Sequence, residues 1–69
     1  MGRPKLPVYA VRLKILRKEK KWSVQQLADL SGLSPNTIDR IERGHAPTLR
    51  SLDTVCSVFK IEVHKLLEP

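Results

Sequence analysis

The 69-residue chain has little of what builds a cross-link, a cofactor cradle or a membrane anchor. It has one cysteine, Cys56, so no disulfide forms within the chain, and such usage fits a reducing compartment. Three glycines, widely spaced, supply no glycine-rich phosphate loop, and there is neither a nucleophile elbow nor a paired-carboxylate site. His45, Cys56 and His64 are too dispersed to offer the close ligand pair that anchors a metal, so neither metal nor cofactor is expected. No run reaches the roughly 18 apolar residues of a membrane span, and no signal-peptide core follows the basic N-terminus. A chain this short buries only about 60% of its unfolded surface, which leaves one small core and little room for a walled catalytic cleft. These absences predict one non-enzymatic domain in the cytoplasm.

Positive charge is present in excess and unevenly placed. The net charge is +6 overall, yet residues 1–21 alone carry +7, residues 22–44 sum to −1 and residues 45–69 to zero. Such asymmetry predicts a polyanionic partner rather than a uniformly solvated surface. Membrane adsorption is the weaker alternative, because the basic segment lacks a bulky apolar face ending in Trp or Phe.

Five helices and no strand are expected. Residues 1–7, with Gly2, Pro4 and Pro7, read as a flexible basic arm, and residues 8–69 as the domain. In a first helix over 8–20, Tyr9, Leu13 and Leu16 form the inward stripe, while Val11 and Ile15, with Val8, form a second apolar face needing a partner. Ser23 is a candidate N-cap for a helix carrying Val24, Leu27, Ala28 and Ser31 at helical spacing; Gly32 can end it in left-handed backbone. Ser34-Pro35 then starts a helix that buries Ile38 and Ile41 and stops at Gly44. Two short helices turning sharply over about residues 24–43 predict a helix-turn-helix, whose second helix enters the DNA major groove. After the 45–48 loop, Thr48 caps a fourth helix whose inner face is Leu49, Leu52, Val55, Cys56 and Phe59. A last short helix, 61–67, is expected to be capped by Glu62.

Taken in order, Leu13-x-x-Leu16-Arg17, Leu27-Ala28, Gly32-Leu33-Ser34, Ile38-x-x-Ile41-Glu42-x-Gly44, Pro47-Thr48-Leu49 and Leu66-Leu67 resemble the Cro/repressor (XRE) family of DNA-binding domains, over roughly residues 8–67. The resemblance implies a compact five-helix, lambda-repressor-like domain, with helix 2 across the phosphates and helix 3 in the groove. It also implies an Arg17–Glu42 ion pair tying helix 1 to helix 3. The chain departs from the family pattern at Val24, where relatives usually carry Gln, and at Lys21 and Lys60, where they often carry Gly.

On helix 3, Asn36, Thr37 and Arg40 lie opposite Ile38 and Ile41. Arginine reads guanine O6 and N7 bidentately and asparagine reads adenine N6 and N7, so Arg40 is assigned to guanine and Asn36 to adenine. Thr37 suits a thymine methyl or a phosphate, and Ser34 is an N-cap first and a DNA contact second. Phosphate contacts are expected from Lys20, Lys21, Gln25, Arg43, His45 and Arg50, with backbone N–H groups at the starts of helices 2 and 4. Gly2-Arg3-Pro4 resembles an AT-hook core, which implies Arg3 and Lys5 in an A·T-rich minor groove. One recognition helix reads too few base pairs to select a site, so a homodimer on a palindromic operator is expected. In relatives the contact lies at the C-terminal end, here Phe59, Val63 and Leu67, with Val11 and Ile15 as the alternative. A protein-interaction module of the same fold, an antitoxin or anti-repressor, is the competing function.

Overall fold

In the computed structural model, residues 6–68 are described. They form α1 (Val8–Glu19), α2 (Val24–Ser31), α3 (Pro35–Glu42), α4 (Leu49–Phe59) and α5 (Val63–Leu67), with no strand among them. The all-α, five-helix expectation holds.

Local chemistry accounts for most helix ends. The Oγ of Ser23 accepts from the Gln26 N–H at 3.1 Å, and the Gln26 side chain accepts from the Ser23 N–H at 2.7 Å, a reciprocal capping box. Ser34 and Thr48 cap α3 and α4 from one side only, accepting from the N–H groups of Thr37 and Ser51. Left-handed residues follow four helices: Gly32 and Gly44, but also Lys21 (φ 60°) and Lys60 (φ 57°). After α1, the Trp22 N–H donates to the Arg17 carbonyl and the Lys21 N–H to that of Lys18, the paired bonds of a Schellman end. The side chain at Lys21 therefore sits on backbone that normally favours glycine.

The core has two parts. Leu13, Leu27, Ala28, Ile38, Ile41 and Val55 form the larger, flanked by Tyr9, Trp22, Val24, Leu33, Val58 and Phe59. Leu52, Cys56 and Leu66 form the smaller, flanked by Tyr9, Leu16, Ile61 and Val63. Val24 thus packs inward, which explains an apolar residue at the start of α2. Ala10, absent from the predicted stripe, is also buried.

Two expectations are corrected. Leu49 does not join the inner face of α4; it is 72% exposed. It lies about 70° around the helix from the centre of the buried stripe, counting 100° per residue, and in the first turn, outside the layers that Leu52, Val55 and Cys56 fill. The last helix begins at Val63, not Ile61, and Glu62 makes no side-chain cap. Its carboxylate is instead drawn to the His64 ring, 3.3 Å from Nε2.

Candidate nucleic-acid interface

The α2–α3 unit presents one face of α3 outward and has it braced from behind. Ile38 and Ile41 anchor α3 in the core. At its C-terminal end, Glu42 receives a two-pronged bond from Arg17, Nε to Oε2 at 2.7 Å and Nη2 to Oε1 at 3.0 Å. Arg17 also donates from Nη1 to the Trp22 carbonyl at 2.8 Å, so one guanidinium ties α1 to the loop before α2 and to the end of α3. Hydrogen bonding to Glu42 raises the Arg17 pKa above its ordinary value, against the opposing effect of burial. The expected ion pair is present and nearly dry.

A second brace has no signature in local sequence. The Tyr9 hydroxyl lies 3.0 Å from the Gly44 carbonyl and 3.2 Å from that of His45, holding the turn after α3 against α1. Its signal was only that Tyr9 belongs to the inward stripe of α1.

The outward face gathers the predicted base-reading residues. Asn36, Thr37 and Arg40 line one open cleft of about 280 Å³ with His45, Pro47, Thr48 and Ser51. Asn36 and Arg40 are exposed; Thr37 is half-buried. The hydroxyls of Ser34 and Thr37 lie 2.8 Å apart at the helix cap, which leaves the Thr37 methyl as its free contact group. Arg43, not Arg40, pairs with Asp39, at 2.9 Å. Arg40 makes no salt bridge among the described residues, and neither do Lys20, Lys21 and Arg50.

The remaining candidates differ in how ready they are. Lys20, Lys21, His45 and Arg50 are exposed. Gln25 is exposed too, but its amide donates to Asp29 at 2.9 Å and would have to leave that carboxylate to reach a phosphate. Arg43 faces the same choice over Asp39, at small cost because both side chains are largely solvated. Arg3 and Lys5 lie outside the described residues. At the predicted self-association surface, Val63 and Phe59 are half-buried; the Phe59 ring is taken up by Trp22, centroid to centroid 5.5 Å. Leu67 is 46% exposed, and Val11 and Ile15 are also exposed. Ile15 borders a groove of about 340 Å³ between α1 and α5, floored by Leu16, Ile61 and Leu66.

The model of the HTH_3 helix-turn-helix family matches residues 13–66, almost the whole packed unit. The chain belongs to that family. It is 36% identical over 59 residues to the HTH-type transcriptional regulator SinR of Bacillus subtilis, covering 83% of this chain and 53% of SinR. With the HTH-type transcriptional regulator AnsR of the same organism it shares 39% over 57 residues, covering 81% of this chain and 49% of AnsR. The chain thus spans about half the length of the curated relatives it matches. Among solved structures, SinR in complex with DNA superposes with a TM-score of 0.80 at 34% identity, over 87% of this chain and 98% of that one. SinR is also described in a complex with SinI protein, with the same TM-score, over 87% of this chain and 60% of that one. The restriction-modification controller C.AhdI of Aeromonas hydrophila gives 0.78 at 32% identity, covering 84% and 89%.

Proposed function

We propose that this chain is the sequence-reading part of a cytoplasmic transcriptional regulator that sets α3 in the major groove of double-stranded DNA. The observation carrying the reading is the cleft where Asn36, Thr37 and Arg40 meet the 45–51 segment, with Arg40 unclaimed by either neighbouring acid. Arg40 reads guanine, Asn36 adenine, and the Thr37 methyl a thymine methyl. Ser34 stays at the cap and touches DNA only from there. Lys20, Lys21, His45 and Arg50 hold phosphates, with Gln25 and Arg43 released to join them, and Arg3 and Lys5 follow an adjacent minor groove. The similarity to SinR, which is described in complex with DNA, supports this reading.

Two copies acting on a palindrome place their recognition helices about 34 Å apart. Because Phe59 is engaged with Trp22, the self-association surface centres on Leu67 and the edge of Val63, with Val11 and Ile15 as the alternative. Those exposed apolar residues are also what favours the second reading, a module that binds another protein, as SinR is described with SinI.

A binding titration against a site selected from random duplex separates the readings. With about five to eight phosphates neutralised per dimer, log K against log salt slopes at about −4 to −7. Arg40→Ala loses about 1–3 kcal/mol and relaxes preference at one position per half-site, whereas Lys21→Ala weakens all sequences alike. A flat salt response removes DNA from the function. If Arg40→Ala behaves as Lys21→Ala does, Arg40 is a phosphate contact.

A further inference from the structure

Gly44 is glycine for a reason that reaches beyond its backbone. Its φ of +93° disfavours a side chain, yet Lys21 and Lys60 show that this chain accepts side chains at positive φ. What distinguishes Gly44 is space. A Cβ there would lie 2.9 Å from Pro7 Cδ and 3.2 Å from Leu6 Cδ2, whereas one at Gly32 would meet nothing within 4 Å. The turn after α3 is therefore a seat into which Leu6 and Pro7 fit against bare backbone. Tyr9, two residues on, bonds to the carbonyls of Gly44 and His45 and fastens the same junction from the helix side. Between the two contacts the ring of Pro7 fixes φ at −60°, so the connection is stiff.

We infer that Leu6, Pro7, Tyr9 and Gly44 form a clasp that sets where the basic N-terminal segment leaves the domain. The clasp rests on the DNA reading proposed above and refines it. It starts the segment at the end of α3, one residue from His45, which lines the cleft holding Asn36 and Arg40. Arg3 stands three residues before Leu6 and Lys5 one, at most about 11 Å of extended chain, so both cations can reach only the DNA bordering the half-site that the same copy reads. A seated root also raises the effective concentration of those two cations at that border, because Leu6 and Pro7 no longer add to the length between them and the domain. Leu6 and Pro7 are then positioning residues that touch no DNA themselves.

Tethered cleavage tests this. A Gly2→Cys variant carries an iron-chelate cutting reagent, Cys56 being buried and left unmodified, and binds a duplex selected from a random pool. Methylation protection of guanine N7 reports α3 independently of the cuts. The expected result is a cut window a few base pairs wide beside the protected guanines. In the Leu6→Gly/Pro7→Gly background, glycine is a tolerated N-cap and keeps the carbonyl that accepts the first bonds of α1, so the dichroism spectrum should be unchanged. There the protections persist, the cuts spread to at least twice that width, and affinity falls two- to tenfold. An unchanged cut window in that background overturns the clasp and leaves the DNA reading intact. Dispersed cuts with the clasp residues in place overturn it equally. Absence of binding to any selected duplex removes the DNA reading, and the clasp's role with it.

Discussion

Replacing Lys60 by glycine should make the domain more stable. Lys60 ends α4 at φ 57°, where contact between Cβ and the following carbonyl costs about 1–2 kcal/mol. Glycine removes that strain but adds freedom to the unfolded chain, about 0.5–1 kcal/mol in the opposite direction. The net gain lies between about 0 and 1.5 kcal/mol, and its centre near 0.75 kcal/mol raises the midpoint of thermal unfolding of a domain of this size by about 3–6 °C. Lys60→Ala removes the charge and keeps the strain, so it should shift the midpoint little. Lys21→Gly, at φ 60°, should gain similarly in stability and lose DNA affinity, because its ammonium is assigned to a phosphate. Circular dichroism melts of the three variants, with an anisotropy titration of the two glycine variants, test the reasoning. A midpoint for Lys60→Gly at or below that of Lys60→Ala would refute the strain argument. Equal DNA affinity of Lys21→Gly and the parent would show that strain at Lys21 is not retained for a phosphate contact.

Three further outcomes follow from other parts of the structure. Glu42→Gln strands the Arg17 guanidinium and should cost about 3–5 kcal/mol, a large share of the roughly 3–10 kcal/mol available to a domain of this length; Arg17→Met with Glu42→Leu should recover much of it in urea titrations, and equal loss in both would mean that uncompensated charge is not the cause. Burial first, and Asp53 second, push the Cys56 thiol pKa up, so its contribution to stability is complete below the ordinary thiol range and is lost as pH rises through the folded value; a Cys56→Ala variant should lack that alkaline loss, and native Cys56 should react with a thiol reagent only at the rate of unfolding. Leu67→Lys should weaken cooperative binding to a palindrome while half-site binding and the dichroism spectrum persist; retention of cooperativity in Leu67→Lys and its loss in Ile15→Lys would move self-association to α1.

Much of the fold is legible in the sequence because the deciding chemistry is local. Ser23, Ser34 and Thr48 cap within three residues, and Gly32 needs only its own φ. Periodicity counts spacing but not where a bundle ends, which is why Leu49 reads as core and lies in solvent. Ala10 is too small to mark a stripe. The second clause of the capping box, Gln26, looks in sequence like any polar residue of α2. For the interface, the outward set Asn36, Thr37 and Arg40 is legible because it is what remains once Ile38 and Ile41 face inward. The exchange of partners, Arg43 rather than Arg40 on Asp39 and Gln25 on Asp29, depends on side-chain reach among several equal options. Tyr9 on Gly44 and Leu6 and Pro7 in its seat join residues more than 30 positions apart, and no spacing rule reports such contacts.

Tyr9 is the one partly buried apolar residue among those described that packs against both parts of the core. Its ring is a shared wall: withdrawing it opens the Leu13–Ile38 side and the Leu52–Leu66 side together, and frees the carbonyls of Gly44 and His45 as well. Because α4 also supplies both sides, Val55 to the first and Leu52 and Cys56 to the second, an opening that withdraws Tyr9 loosens α3 and α4 together, and amide protons in both should share that event in exchange with solvent. For a domain proposed to read DNA through α3, the candidate reading surface shares this opening with the rest of the core. A ligand that steadies α3 and the turn after it would then also steady the wall that Tyr9 offers to α4 and α5.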